Sequence, residues 1–87
     1  MINILILTDN SNLERQLSST LLRFAPDLKI RSAKTLAEAE KFCEGLRLRV
    51  AFVDRGLVLG LEIKLAERLR GALINRFLPI VMLDSDR

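Results

Sequence analysis

Three aspartates stand directly after short apolar runs, and they are the residues most able to do chemistry. Asp9 follows "INILILT", Asp54 follows "VAFV" and Asp84 follows "PIVML". Carboxylates brought together repel one another, so such a cluster needs a proton or a cation, and Mg²⁺ suits hard oxygen ligands. With a metal to neutralise charge, a carboxylate can also accept a phosphoryl group. The plainer alternative for Asp54 is a turn aspartate that ends a strand close to a glycine.

Other kinds of catalytic site find little support in the composition. The chain has no histidine and one cysteine, Cys43, which excludes a disulfide framework, a Cys/His zinc site and histidine-based catalysis. Thr8 and Ser85 have no evident base to activate them as nucleophiles. The segment "TDNSN" after the first apolar run contains no glycine, so a glycine-rich phosphate loop is not expected. We therefore expect a protein that is not an enzyme.

Length and charge describe an ordinary small globular protein. The 87 residues predict one domain, 1–87, and the net charge of +3 is scattered rather than gathered in one tract. The absence of Trp and Tyr argues against a base-stacking surface for nucleic acid. No apolar run reaches the length of a membrane span, and the start lacks the basic region of a signal peptide. A cytoplasmic location is the simplest expectation.

Four segments have the pattern of β-strands. Continuous apolar runs at 2–7, 50–53 and 79–83 predict strands that are buried on both faces. The segment 28–32, "LKIRS", alternates apolar and polar residues and predicts an edge strand.

Three helical patterns separate these strands. Ser11 with Glu14 predicts a capping box for the first helix, and Pro26 ends it. Its expected apolar stripe is Leu13, Leu17, Leu21 and Phe24. Thr35 with Glu38 predicts the capping box of the second helix, with an inner face of Leu36, Ala39, Cys43 and Leu46 and an end near Gly45. The third helix is expected over 61–77, weakened by Gly71, with a stripe of Leu61, Leu65, Leu69, Ala72 and Leu73.

Strict alternation of strand and helix predicts an α/β fold with a parallel sheet and right-handed crossovers. In such a sheet, functional residues lie beyond the carboxyl ends of the strands, at the point where the strand order reverses. With the order 2-1-3-4, Asp9 and Asp54 would face each other across one crevice. Asp84 would flank them from the fourth strand.

The ordered segments "ILILTDN", "VAFVDRGLVLGLEI" and "LPIVMLDSD" resemble the receiver domain of two-component response regulators, the CheY-like form of the flavodoxin-like fold. The separations of 45 (54 − 9) and 30 (84 − 54) positions between the aspartates fit that resemblance. The resemblance implies that Asp54 is the phosphoacceptor and Asp9 a Mg²⁺ ligand. It also implies that the backbone carbonyl of Gly56 completes the metal shell.

Four departures from the family pattern accompany the resemblance. Thr8 replaces the first acid of the strand-one pair, which implies weaker metal binding. Val58 replaces the usual loop proline. Asp84 stands where a switch hydroxyl is expected, with Ser85 beside it. The chain stops at Arg87, where the family continues with a helix, a fifth strand and a last helix that carry a lysine and an aromatic switch residue. The resemblance therefore implies an incomplete receiver domain.

The first function hypothesis is a receiver module of a two-component phosphorelay. Its partners would be a histidine kinase or phosphotransfer protein and an output domain or protein. Asn12, Arg15 and Gln16 of the first helix would face the kinase. The alternative is a pseudo-receiver that docks or dimerises without phosphorylation, and a flavodoxin-like ligand-binding fragment is a weaker one. An apolar fourth strand at an open sheet edge predicts self-association.

Overall fold

The computed structural model describes residues 2–84. Four parallel strands form one sheet in the order β2-β1-β3-β4, which confirms the order expected from the sequence. The strands are β1 (Ile2–Leu7), β2 (Leu28–Ala33), β3 (Leu48–Asp54) and β4 (Ile80–Leu83). The helices are α1 (Ser11–Phe24), α2 (Leu36–Gly45) and α3 (Glu62–Leu69), followed by a 3₁₀ turn, Leu73–Asn75. No helix within residues 2–84 is long and apolar enough to cross a membrane.

The core lies on the two central strands. Leu5 and Leu7 of β1 and Val53 of β3 are fully buried, and they share one apolar cluster with α2 and α3. Ala39 and Cys43 of α2, both expected on its inner face, belong to this cluster. Burial, reinforced by nearby Glu40 and Glu44, raises the pKa of the Cys43 thiol to about 11. Cys43 is therefore a neutral core residue at physiological pH rather than a reactive thiol.

The start of α1 differs from the expected capping box. Asn10 is the N-cap, and its Oδ1 accepts hydrogen bonds from the backbone N–H groups of Asn12 (3.0 Å) and Leu13 (3.1 Å). Asn10 has the extended backbone of a cap, whereas Ser11 already lies in the helix. Glu14, expected to complete the box, instead accepts hydrogen bonds from the hydroxyls of Ser18 and Ser32. The second of these joins α1 to β2.

Replacing Asn10 with alanine should therefore lower the free energy of unfolding by about 1 kcal/mol, because two backbone N–H groups of the first turn lose their acceptor. The matched Ser11→Ala variant should stay within about 0.5 kcal/mol of the parent, as surface substitutions usually do. Urea unfolding of both variants measures the difference. A larger loss for Ser11→Ala would mean that the helix begins one residue later.

The expected stripe of α1 is only partly covered. Its leucines are half-buried, but Phe24, the last residue of the helix, is 84% exposed, and no residue of α1 is fully buried. The 3.6-residue period predicts which side of a helix faces the sheet. It does not predict how far along the helix the sheet continues to bury that side.

The expectation of one long third helix over 61–77 is wrong. Helix α3 ends at Leu69, and the chain then turns into the short 3₁₀ segment. Ala72 and Leu73 therefore do not continue the stripe, and Leu73 is exposed. Gly71, a weak helix former, lies two residues after Leu69, beyond the C-cap Arg70.

Asn75 gives the physical reason for this early ending. Its buried side chain accepts a hydrogen bond from the Leu48 backbone N–H (2.9 Å) and donates to the carbonyls of Cys43 and Leu46 (both 2.6 Å). The amide thus pairs with three backbone groups at the junction between α2 and β3, and backbone groups in such partly or fully buried places need hydrogen-bond partners. The chain leaves the helical path after Leu69 and brings Asn75 to this junction.

Candidate functional site at the carboxyl ends of the strands

The register of the sheet brings the ends of three strands side by side. Leu7 of β1 pairs with Val53 of β3, and Asp54 pairs with Leu83 of β4. Thr8, the residue that follows β1, therefore comes opposite Asp54. The polar residues that were expected at this edge and that the structure describes lie at or just beyond the carboxyl ends of these strands: Thr8, Asp9, Asp54 and Asp84.

Asp54 is the buried centre of this edge, with a relative exposure of 0%. Its Oδ2 accepts a hydrogen bond of 2.7 Å from the Thr8 hydroxyl, and its Oδ1 accepts one of 3.0 Å from the backbone N–H of Gly56. An ionised carboxylate is an acceptor only, so both contacts suit the charged form of the side chain. A buried charge is tolerated when such donors replace the water that it has lost.

Thr8 has a larger role than the sequence suggested. It is 4% exposed, and while its hydroxyl donates to Asp54, its oxygen accepts a hydrogen bond of 3.0 Å from the Asn10 backbone N–H. The side chain thus connects the end of β3 to the start of α1. The resemblance to receiver domains indicated only that Thr8 stands where those domains have an acid. It did not reveal a hydroxyl that bonds to Asp54.

Asp9 lies one residue farther along, with its side chain exposed. It borders a groove of about 300 Å³ between the end of β1, the start of α1 and the end of β2. Arg15 and Lys34 also line this groove, together with Glu14. The groove therefore carries both signs of charge. The Mg²⁺-ligand role of Asp9 stays a prediction.

Asp84 lies just past β4 and forms an ion pair with Arg55 (Nε to Oδ1, 2.8 Å). Both side chains are substantially exposed, so the pair contributes little to stability, on the order of 0–1 kcal/mol. The contact follows from the sheet, because the Arg55 backbone N–H also donates to the Leu83 carbonyl (2.9 Å). A role for Asp84 in an acidic pocket stays a prediction, and Ser85 lies outside the described residues.

Hydrogen bonds between backbone groups stabilise the loop after Asp54. The N–H of Leu57 donates to the Asp54 carbonyl (3.0 Å), and that of Val58 donates to the Arg55 carbonyl (3.2 Å). Val58, in the place of the family proline, is buried in the core cluster. Gly60 has φ of +83°, a left-handed conformation that favours glycine. The loop is therefore a compact turn that presents the Gly56 N–H to Asp54.

The donors expected for Mg²⁺ are two carboxylates, Asp9 and Asp54, and the Gly56 carbonyl. Among residues 2–84, no group of three or more acids, cysteines or histidines comes close enough together to hold a metal ion. The position that would add a third carboxylate is Thr8, whose proton points at Asp54. This donor set does not fit a strong divalent site, because affinity in oxygen sites depends on the number of charged ligands.

Comparisons with known proteins identify the fold. No family model and no curated protein sequence matches the chain. Several solved structures match it over nearly its whole length. The chemotaxis response regulator CheY4 of Vibrio cholerae aligns with a TM-score of 0.80 at 21% identity, covering 99% of this chain and 70% of that one.

Two further matching structures were solved with a bound group or a partner protein. A response regulator from Burkholderia pseudomallei, solved with a phosphorylated aspartic acid, a calcium ion and citrate, aligns with a TM-score of 0.78 at 22% identity, covering 100% of this chain and 49% of that one. The receiver domain of Saccharomyces cerevisiae Ssk1, solved with the histidine phosphotransfer protein Ypd1, aligns with a TM-score of 0.57 at 25% identity, covering 95% of this chain and 61% of that one. The shared topology and the extent of these alignments show that the chain has the fold of response regulator receiver domains, the CheY-like form of the flavodoxin-like fold.

Proposed function

We propose that this chain is a receiver-type signalling module of the two-component class that acts through protein contacts without phosphorylation of Asp54. The observation that carries the proposal is the 2.7 Å hydrogen bond from the Thr8 hydroxyl to Asp54 Oδ2. This contact gives Asp54 a structural role, because it joins the two central strands where they end.

The accessibility of Asp54 supports the same conclusion. Phosphoryl transfer requires a carboxylate oxygen in line with the phosphorus atom and a cation to neutralise the developing charge. The Asp54 side chain has no exposed surface. Thr8 also takes the place of a carboxylate that would help to hold the cation. Both requirements are therefore poorly met in this arrangement.

The second candidate is a phosphorylated receiver, and the position of Asp54 favours it. Asp54 ends β3 beside β1, where the strand order reverses and α/β folds place their functional groups. In this reading Asp54 accepts the phosphoryl group, and Asp9 and the Gly56 carbonyl hold Mg²⁺. The Burkholderia structure, with its phosphorylated aspartic acid and calcium ion, is the precedent within the same fold.

Partner proteins are proposed for both candidates. The complex of Ssk1 with Ypd1 is a precedent for a phosphotransfer protein bound to a receiver domain. The exposed residues Asn12, Arg15 and Gln16 of α1 offer a surface for a histidine kinase or phosphotransfer protein. An output domain or protein would be a further partner, and a cytoplasmic location and the lack of enzymatic activity remain predictions.

Self-association is the contact that this chain can make without any partner. β4 is the last strand of the sheet, so its outer edge has no neighbouring strand among residues 2–84. Ile80 and Met82 pack against the core, and Val81 lies on the opposite face of the strand. Val81 is 41% exposed. An apolar edge strand offers unpaired backbone groups to a second copy of the chain. We propose that two chains associate through β4.

Sedimentation equilibrium of the parent and Asp54→Asn proteins, with and without acetyl phosphate and Mg²⁺, tests this function. The expected result is one association constant under all four conditions. Val81→Lys should weaken association by about tenfold, since a charged edge resists pairing. The matched Ile63→Lys on the exposed side of α3 should not weaken it. A monomer at every concentration, or association that requires acetyl phosphate and Asp54, would contradict the proposal.

A further inference from the structure

The amino-terminal ends of the strands carry a second surface, at the opposite edge of the sheet from Asp54. Two adjoining grooves of about 290 and 440 Å³ meet there and share Arg47 and Leu48. The smaller groove is bordered by the starts of β1 and β3. The larger one is bordered by the 3₁₀ turn and the segment that leads into β4. Together they are called the amino-end groove below.

The charge of the amino-end groove has one sign. Arg47, Arg49 and Arg76 line it, and no Asp or Glu does so within residues 2–84. The ion pairs found in the described part of the chain are Arg55–Asp84 and Arg68–Glu40, so neither involves an arginine of the groove. Concave surfaces of one sign concentrate the field and attract the opposite charge.

Apolar side chains lie exposed among these arginines. Phe77 is 80% exposed, Leu73 and Ile74 are also exposed, and the Arg76 guanidinium lies 4.6 Å from the centre of the Phe77 ring. Arginine and aromatic residues are enriched at protein–protein interfaces, where they supply most of the binding free energy. The combination fits a partner that carries both carboxylates and apolar side chains.

The Asn75 side chain holds the backbone on one side of the amino-end groove in place. Its side chain anchors the 3₁₀ turn to the backbone at Cys43, Leu46 and Leu48. The exposed residues on both sides of Asn75 are therefore held in place before any partner arrives. A preformed surface lowers the entropic cost of binding.

We infer that the amino-end groove binds an acidic peptide segment of another protein that carries at least one large apolar side chain. A second copy of this chain is a poor occupant, because a twofold contact would place arginines against arginines. Nucleic-acid interfaces are more polar than this surface, with its exposed Leu73, Ile74 and Phe77. The concave shape suits a peptide better than it suits a flat lipid surface. The inference does not depend on the state of Asp54, which lies at the other end of the sheet.

A display library of random peptides, selected against the full chain, tests the inference. The selected peptides should be acidic and should contain Leu, Ile, Phe or Trp. Fluorescence anisotropy with these peptides should show binding at least about tenfold weaker for the double variant Arg47→Glu/Arg76→Glu, and weaker binding for Phe77→Ser. The double variant Arg23→Glu/Lys41→Glu changes the net charge equally on exposed helix positions and should bind as the parent does. Circular dichroism checks that each variant is folded.

Three results would overturn the inference. The first is a selection in which the recovered peptides are not enriched in acidic residues, or in which no peptide binds. Another is peptide binding that is equal in the groove variant and the parent. The third is tighter, arginine-dependent binding of single-stranded DNA or of vesicles containing phosphatidylserine, because either would assign the groove to a different partner. The association through β4 should be unchanged in the groove variants, so failure here is distinguishable from failure of the proposed function.

Discussion

Replacing Thr8 with aspartate is expected to destabilise the protein by about 3 kcal/mol at pH 7 in the absence of divalent cations. The substitution removes the hydroxyl that donates to Asp54 Oδ2 and brings a second carboxylate to a position that is 4% exposed. Two buried carboxylates side by side cannot both remain charged without a cation or a proton. Thermal or urea unfolding in EDTA measures the loss.

Magnesium should reverse much of this loss in Thr8→Asp and little in the parent. The variant restores a third carboxylate beside Asp9 and Asp54, which is the donor set that hard cations prefer. A ligand at a hundred times its dissociation constant stabilises the folded state by about 2.7 kcal/mol. A melting temperature that rises with millimolar Mg²⁺ in the variant alone is therefore the expected result.

Two matched substitutions separate charge from hydrogen bonding at this position. Thr8→Ser keeps the hydroxyl and should cost less than about 1.5 kcal/mol. Thr8→Val keeps the shape but leaves the Asp54 carboxylate without this donor, so its cost should fall between those of the serine and aspartate variants. If Thr8→Asp in EDTA proved as stable as the parent, Thr8 would have no structural role at Asp54.

Replacing Asn75 with alanine should lower the free energy of unfolding by about 3–4 kcal/mol, as is typical when a buried hydrogen-bond network is broken. The change removes the partners of the Leu48 N–H and of the Cys43 and Leu46 carbonyls. Because small domains have total stabilities of about 5–15 kcal/mol, the variant will be partly unfolded if the parent lies at the low end. Urea unfolding followed by circular dichroism gives the value.

Two further variants serve as comparisons for Asn75→Ala. Asn75→Asp keeps an acceptor for the Leu48 N–H but turns a carboxylate toward two carbonyl oxygens, so it should be at least as destabilising as alanine at pH 7. Asn12→Ala, on the exposed surface of α1, should stay within about 0.5 kcal/mol of the parent. A cost below about 1 kcal/mol for Asn75→Ala would mean that the α2–β3 junction does not depend on its side chain.

The parallel sheet and most of the core could be predicted from the sequence, because both depend on patterns that many residues share, whereas the strand order 2-1-3-4 was implied by the resemblance to receiver domains. The apolar runs of β1 and β3 and the alternation of strand and helix have few other solutions. The inner face of α2 likewise follows from its period. The end of α3 could not be predicted this way, since one side chain, Asn75, determines it through partners 27 to 32 residues distant.

The candidate site likewise combines features that could be predicted from the sequence with features that could not. The position of Asp54 follows from where a parallel sheet keeps its polar residues. Its bond to Thr8 depends on the register between β1 and β3, which places those two residues opposite each other. The cap at Asn10 was missed because Ser11 and Glu14 matched a known pattern one residue later. Local motifs compete at such positions, and only the backbone conformation decides between them.

The most direct test of the central claim is the intact mass of the protein after incubation with acetyl phosphate and Mg²⁺. A receiver domain known to be phosphorylated under these conditions serves as the positive control, and Asp54→Asn serves as the matched variant. We expect the parent and Asp54→Asn to remain unmodified while the control gains a phosphoryl group, because Asp54 is buried and bonded to Thr8. A phosphoryl adduct on the folded parent that is absent from Asp54→Asn would contradict the account and make the chain a phosphorylated receiver.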